Sequence, residues 1–272
     1  MIWILIILAI VVTCFIMWQL KILKCGNVVL VTGGVKTGKT TMSVRLVYKL
    51  WKKSVRKVKF YNAFSRFFKK DKSKKDLPLI YSNVPLSIPF APLTEDLIYR
   101  RKRFVYGSVI YFCEASLLAD SMSFKDEDLN ETLTLLVKLI GHETKGGYLI
   151  FDTQSVLDLH YGIKRNLSSY FYIHHKQSIP FFLILKVREL VFMDNTSNDF
   201  NEDVEETLKT MIVPKSTWKL FDCYCYSALT DHLPVEKQTI KTKDLKARDI
   251  LTFKKNKKYY KVVEITNDEK KI

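Results

Sequence analysis

The stretch GGVKTGKT at residues 33–40 restricts this chain more than any other part of it. It fits the spacing GxxxxGK[ST], with Gly33, Gly38, Lys39 and Thr40 in the fixed places. In that pattern the glycines let successive backbone N–H groups curl around phosphate oxygens at the start of a helix. The lysine reaches the β- and γ-phosphates, and the hydroxyl of the last residue takes Mg²⁺. Gly33, Gly34, Val35, Lys36, Thr37, Gly38, Lys39, Thr40 and Thr41 are therefore the expected nucleotide-binding set, with Thr40 as a metal ligand. Such a loop needs a strand before it and a helix after it. Residues 27–32 (NVVLVT) are β-branched, bounded by glycine on both sides, and read as a buried strand. From residue 39 to about residue 55, Met42, Leu46, Val47, Leu50 and Trp51 recur at three- and four-residue spacing, with Arg45, Lys49, Lys52 and Lys53 between them. That spacing predicts an amphipathic, basic helix.

Strand-like runs return at residues 79–84, 108–113, 148–153, 170–174 and 181–187, and residues 127–140 carry a helical stripe of Leu129, Leu133, Leu136, Val137 and Ile140. Alternation of this kind predicts an α/β fold, a mostly parallel sheet flanked by helices in the P-loop NTPase style. The lysine-dense segment 64–78 has no clean period and reads as a loop or a frayed helix end. The tail, with its run KKNKKYYK, reads as a small solvent-facing appendage. The expected plan is a membrane anchor at 1–24, a P-loop domain at 25–240 and the appendage at 241–272.

The anchor rests on residues 2–20, an uncharged run of about nineteen residues, enough to cross a hydrocarbon core of about 30 Å as a helix. Lys21 and Lys24 follow the run and none precedes it, which argues against a cleaved signal peptide and holds the remainder of the chain on the cytoplasmic side. Trp3 and Trp18 stand near its ends, where interfacial aromatics are expected. A net charge of +16 favours an anionic partner, nucleic acid or acidic lipid, without choosing between them. Phe60, Tyr61, Phe64, Phe67 and Phe68 beside Lys69 and Lys70 form a mixture that suits single-stranded nucleic acid, although aromatics at such spacing also build cores. The five cysteines lack paired spacing, and neither a disulfide framework nor a zinc site follows from them.

Two further strand ends carry candidate chemistry. The run VIYFCE puts Glu114 just past an apolar strand, where a nucleotide hydrolase places a catalytic, metal-proximal acid. The run YLIFDTQ ends in polar side chains at the edge where a parallel sheet gathers its ligand site, and Gln154 is the candidate sensor of the γ-phosphate or the attacking water. A strand followed by a solvated glutamate, or by an ordinary polar terminus, would look the same in isolation. The loop upstream is what gives these two their weight.

GGVKTGKT, then SNVPL at 82–86, VIYFCEAS at 109–116 and IFDTQSVLDLHYGIKRNL at 150–167 occur in an order that resembles the zonula occludens toxin family. That family includes the assembly ATPases of filamentous bacteriophages and belongs with the FtsK/HerA translocases. The likeness runs over residues 28–175, with a weaker echo at 218–228. It implies ATP as the nucleotide, Glu114 as catalytic acid, Gln154 as sensor and Arg165 as a charge stabiliser. It also implies a homo-oligomeric ring at a bacterial host's inner membrane that extrudes virions or exports single-stranded DNA, gripping DNA or phage coat protein. Two features depart from the family's pattern. Cys113 stands where an aspartate usually precedes the glutamate, and the membrane run comes before the ATPase domain rather than after it. A P-loop kinase and a nucleotide-binding membrane scaffold without turnover remain open alternatives at this point.

Overall fold

The computed structural model describes residues 23, 25–68, 75–93, 95–99, 103–117, 127–192, 204–221, 250–253 and 259–262. The expected anchor at residues 2–20 lies outside them. Among the described residues no helix is long and apolar enough to cross a membrane.

Strand β1 (Val28–Thr32) is buried at every position, as its β-branched run requires, and it delivers the glycine loop to the start of helix α1 (Lys39–Phe68). β2 (Ile80–Ser82), β3 (Ala91–Pro92), β4 (Val109–Phe112), β5 (Tyr148–Thr153), β6 (Ser169–Ser178), β7 (Phe182–Phe192) and β8 (Val204–Pro214) complete an eight-stranded sheet in the order β3-β2-β4-β5-β1-β6-β7-β8. All pairings from β3 through β6 are parallel, and β6-β7-β8 is an antiparallel extension. β5 is thus inserted between β1 and β4, and the carboxyl ends of all three lie at one edge.

Alternate residues of the strands feed two cores. Val29, Val31, Tyr111 and Ile150 face Met42, Leu46 and Leu50 of α1, while Leu30, Ile110, Leu149 and Phe151 pack on the opposite face with Leu133, Leu136, Val137 and Ile140 of α3 (Glu127–Glu143). Burying both faces is what makes these strands apolar throughout rather than alternating. Two short helices, α2 (Glu95–Ile98) and α4 (Tyr161–Lys164), sit in the connections.

Several elements differ from the sequence reading: β6 runs on to Ser178, four residues past the expected end at 174, and β3 has no counterpart in it. Helix α1 continues to Phe68 rather than ending near residue 55, and takes in the first part of the segment expected to be loop. Its buried stripe carries on through Ser54 and Val58, while Asn62 holds the returning chain by donating to the Lys75 carbonyl (2.9 Å) and accepting from its N–H (3.1 Å). β7 extends five residues past the expected end at 187, and β8 was not expected at all. Of the carboxyl-terminal tail, β9 (Ile250–Phe253) and β10 (Tyr259–Val262) form an antiparallel ribbon.

Candidate nucleotide site

The glycine loop is held by its own backbone. Gly33 has φ of 152° and Gly38 φ of 99°, regions that side chains disfavour. A Cβ on Gly33 would lie 2.9 Å from Thr37 Oγ1 and 3.2 Å from the Ile173 carbonyl, so both conformation and space demand glycine there. Thr37 closes the turn by donating its hydroxyl to the Gly34 carbonyl (2.8 Å), and Met42 N–H reaches Gly38 (2.9 Å) to start the helix. Only three described residues other than glycine have positive φ: Lys36 (60°), Glu114 (49°) and Lys145 (48°). Two of the three line one cavity, and stored backbone strain of this kind collects at functional sites.

That cavity is about 750 Å³. Residues 34–41 form its floor, Glu114 and Gln154 enter from the ends of β4 and β5, Lys176 and Leu183 come from β6 and β7, and Trp218 and Phe221 close the far side. Lys39 is buried to 6% exposure, and its charge opposes the burial that raises the pKa of both Glu114 and Asp152. Gly33 follows the end of β1 and does not line the cavity.

Behind Glu114 lies a buried network that the sequence reading did not assign. Asp152 is wholly buried, and its two oxygens are both used: Oδ2 accepts from the Tyr111 hydroxyl (2.6 Å) and Oδ1 from the Glu114 N–H (2.8 Å). Asn83, two residues before Pro85, clamps the same corner from β2 by donating to the Cys113 carbonyl (2.9 Å) and accepting its N–H (2.8 Å). Cys113 and Glu114 are thus positioned by backbone bonds on both sides, which stabilises the left-handed turn that directs Glu114 into the cavity. Burial, and then the Asp152 carboxylate, push the Glu114 carboxyl up, with Lys39 opposing. Burial pushes Asp152 up as well, against the hydrogen bonds from Tyr111 and the Glu114 N–H. Burial and Asp152 hold the Cys113 thiol well above its ordinary value, so it is a neutral packing group here.

Cys113 leaves the end of β4 without a second carboxylate, and the Asp152 carboxylate of the neighbouring strand is taken up by Tyr111 and the Glu114 N–H rather than facing the cavity. The signal was present in the sequence, because an aspartate inside the apolar run YLIFDT must be paired if that strand is buried. Glu114, Gln154, Lys39 and the loop residues 34–41 line one cavity together. Arg165 does not join them: it caps the end of α4 with its guanidinium 5.1 Å from the Tyr161 ring. Lys176 lines the cavity without having been expected there.

A glycine loop between a buried strand and a helix, with an acid at the end of a strand one removed and a polar strand end between, defines the class of P-loop NTPase folds. No protein-family model and no curated protein matches the sequence. Among solved structures, the chain is similar to the N-terminal domain of zonular occludens toxin from Neisseria meningitidis, at 16% identity and a TM-score of 0.40, over 73% of this chain and 100% of that one. It is similar also to the genome packaging NTPase B204 of Sulfolobus turreted icosahedral virus 2 in complex with AMP, at 14% identity and 0.35, over 57% and 78%. A KaiC-like protein of Pyrococcus horikoshii aligns at 15% identity and 0.36, over 71% and 90%. The assignment of class rests on the loop and sheet order of this chain itself.

Proposed function

We propose that this chain binds ATP on residues 33–41 and hydrolyses it, as the energy-supplying part of a membrane-anchored motor. The observation that carries the reading is the convergence on one cavity of Lys39, at the start of the helix that follows β1, and Glu114, just past β4, the two strands being separated only by β5. Water held by the Glu114 carboxylate attacks the γ-phosphorus, the bond from that phosphorus to the β–γ bridging oxygen breaks, and the water's proton passes to Glu114. Lys39 offsets charge on the β- and γ-oxygens, and Gln154, exposed at the cavity wall, orients the water. Burial raises the pKa of the Glu114 carboxyl, which makes it, when ionised, a stronger proton acceptor than an ordinary glutamate.

The donor set fits Mg²⁺, which takes oxygen ligands and usually retains several waters. Thr40 and Glu114 supply oxygen at the cavity, whereas Asp152 has both oxygens engaged and Cys113 offers only sulfur. When bound with nucleotide, the ion would neutralise phosphate charge.

The finer reading follows the resemblance and the sequence. Residues 2–20 anchor the chain in a bacterial host's inner membrane with the ATPase domain in the cytoplasm. Copies assemble into a ring, and the work done is extrusion of virions or export of single-stranded DNA. The Lys39→Ala chain tests the foundation. It is expected to lose nucleotide binding or turnover while still inserting into membranes, and unchanged ATPase activity would overturn the assignment.

A further inference from the structure

We propose that Lys176 is a second phosphate-binding cation, supplied by the same chain and directed at the terminal phosphate of the nucleotide. The proposal rests on the nucleotide reading of the cavity.

β6 pairs with β1 only as far as Tyr172 opposite Thr32; past that point β1 turns into the glycine loop, while β6 runs on to Ser178. Residues 173–178 therefore overhang the loop and are paired on one side only, with β7. The pairing shifts between Ile173 and His175, opposite Val187 and Lys186. Phe171 and Ile173 face the α1 core, and strict alternation would put His175 next on that face. The bulge exchanges the parity, as an extra residue must. It is Lys176 that stands opposite Leu185, a member of the same α1-side core as Leu183 and Val187. A lysine is thereby turned to the loop face, and like His174 and His175 it is itself solvent-exposed.

The surroundings fit a role toward phosphate. The Lys176 stem passes beside Gly38, with its Cδ 3.7 Å from the place a Cβ would take there, and Leu183 and Leu185 flank the same point. Its ammonium donates to the carbonyl of Lys36 at the crest of the loop and lines the same cavity as Lys39. The lysine is borne on a paired strand rather than on a free loop, so little ordering is needed before it meets an anion. Arg165, to which the resemblance gave the charge-stabilising role, lies outside this cavity against Tyr161.

A lysine that merely ties β6 to the loop would, on removal, weaken every phosphate ligand alike. One that faces the terminal phosphate discriminates among them. The test compares equilibrium binding of ATP and ADP, both with Mg²⁺, to the full chain and to its Lys176→Met and Lys176→Arg variants. Methionine keeps most of the stem without the charge. The proposal predicts that Lys176→Met loses about tenfold in ATP affinity with ADP affinity within about twofold of the parent, and that Lys176→Arg restores most of the difference. Equal losses for ATP and ADP, or no loss for either, would overturn it and leave the nucleotide reading intact. A parental chain that binds neither nucleotide would overturn that reading, and this inference with it.

Discussion

Asp152 shows how a single buried carboxyl can serve a site it does not line. Its oxygens fix the Tyr111 hydroxyl and the Glu114 N–H, and its charge raises the pKa of the Glu114 carboxyl that faces the cavity. Glu114 must be ionised to accept a proton, so hydrolysis should fall as pH drops through its raised pKa rather than through the ordinary value of about 4.3. Asp152→Asn keeps an acceptor for Glu114 and a donor for Tyr111 but removes the charge, and it should move the acid limb of the kcat/KM profile to lower pH. Cys113→Asp sets a further carboxyl beside Asp152 and Glu114, and should move that limb to higher pH. Profiles of the parent and both variants decide the point; coincident acid limbs would separate Glu114 from this network. Asp152 has a stability consequence of opposite sense from that of a salt-bridged acid. Its folded pKa is raised, so the stability it contributes is complete below an unfolded value of about 3.9 and is lost as pH rises through the folded one.

Among the elements, those that were legible from sequence are the ones whose burial is nearly uniform. β1, β4 and β5 are continuous apolar runs next to recognisable punctuation, and α3 has a clean stripe. β8 is an edge strand reading VEETLKTMIVP, with Leu208 and Thr210 exposed, so neither face gives a period that can be recognised. The far end of α1 is not legible because Val58, which is buried there, stands among lysines and exposed aromatics. The bulge that turns Lys176 to the loop face is not legible either, since register against β7 is a tertiary property. The outer helix makes its own prediction. Val58→Ala should cost about 1–3 kcal/mol in denaturant unfolding, while Phe60→Ala, at a side chain 72% exposed, should stay within about 0.5 kcal/mol. Equal effects would mean that the helix beyond residue 55 is not packed as described.

In the whole molecule, the parallel half of the sheet and the antiparallel extension meet at β6, next to the strand that delivers the glycine loop. The parallel half brings Lys39, Glu114 and Gln154 together at the carboxyl ends of its strands, the position at which open α/β sheets bind ligands. The extension adds Lys176 and Leu183 to the same cavity, and the 3₁₀ helix Lys215–Leu220 that follows it adds Trp218. A fold of this kind separates binding of the nucleotide, which needs the loop, from the chemical step, which needs the acid at the end of β4. The most direct test is therefore Glu114→Gln, assayed for Mg-dependent ATP affinity and steady-state hydrolysis beside the parental chain. Retained affinity with turnover reduced by about a hundredfold or more is the expected result. Hydrolysis at the parental rate would contradict the account, because Glu114 would then not be the residue that activates water.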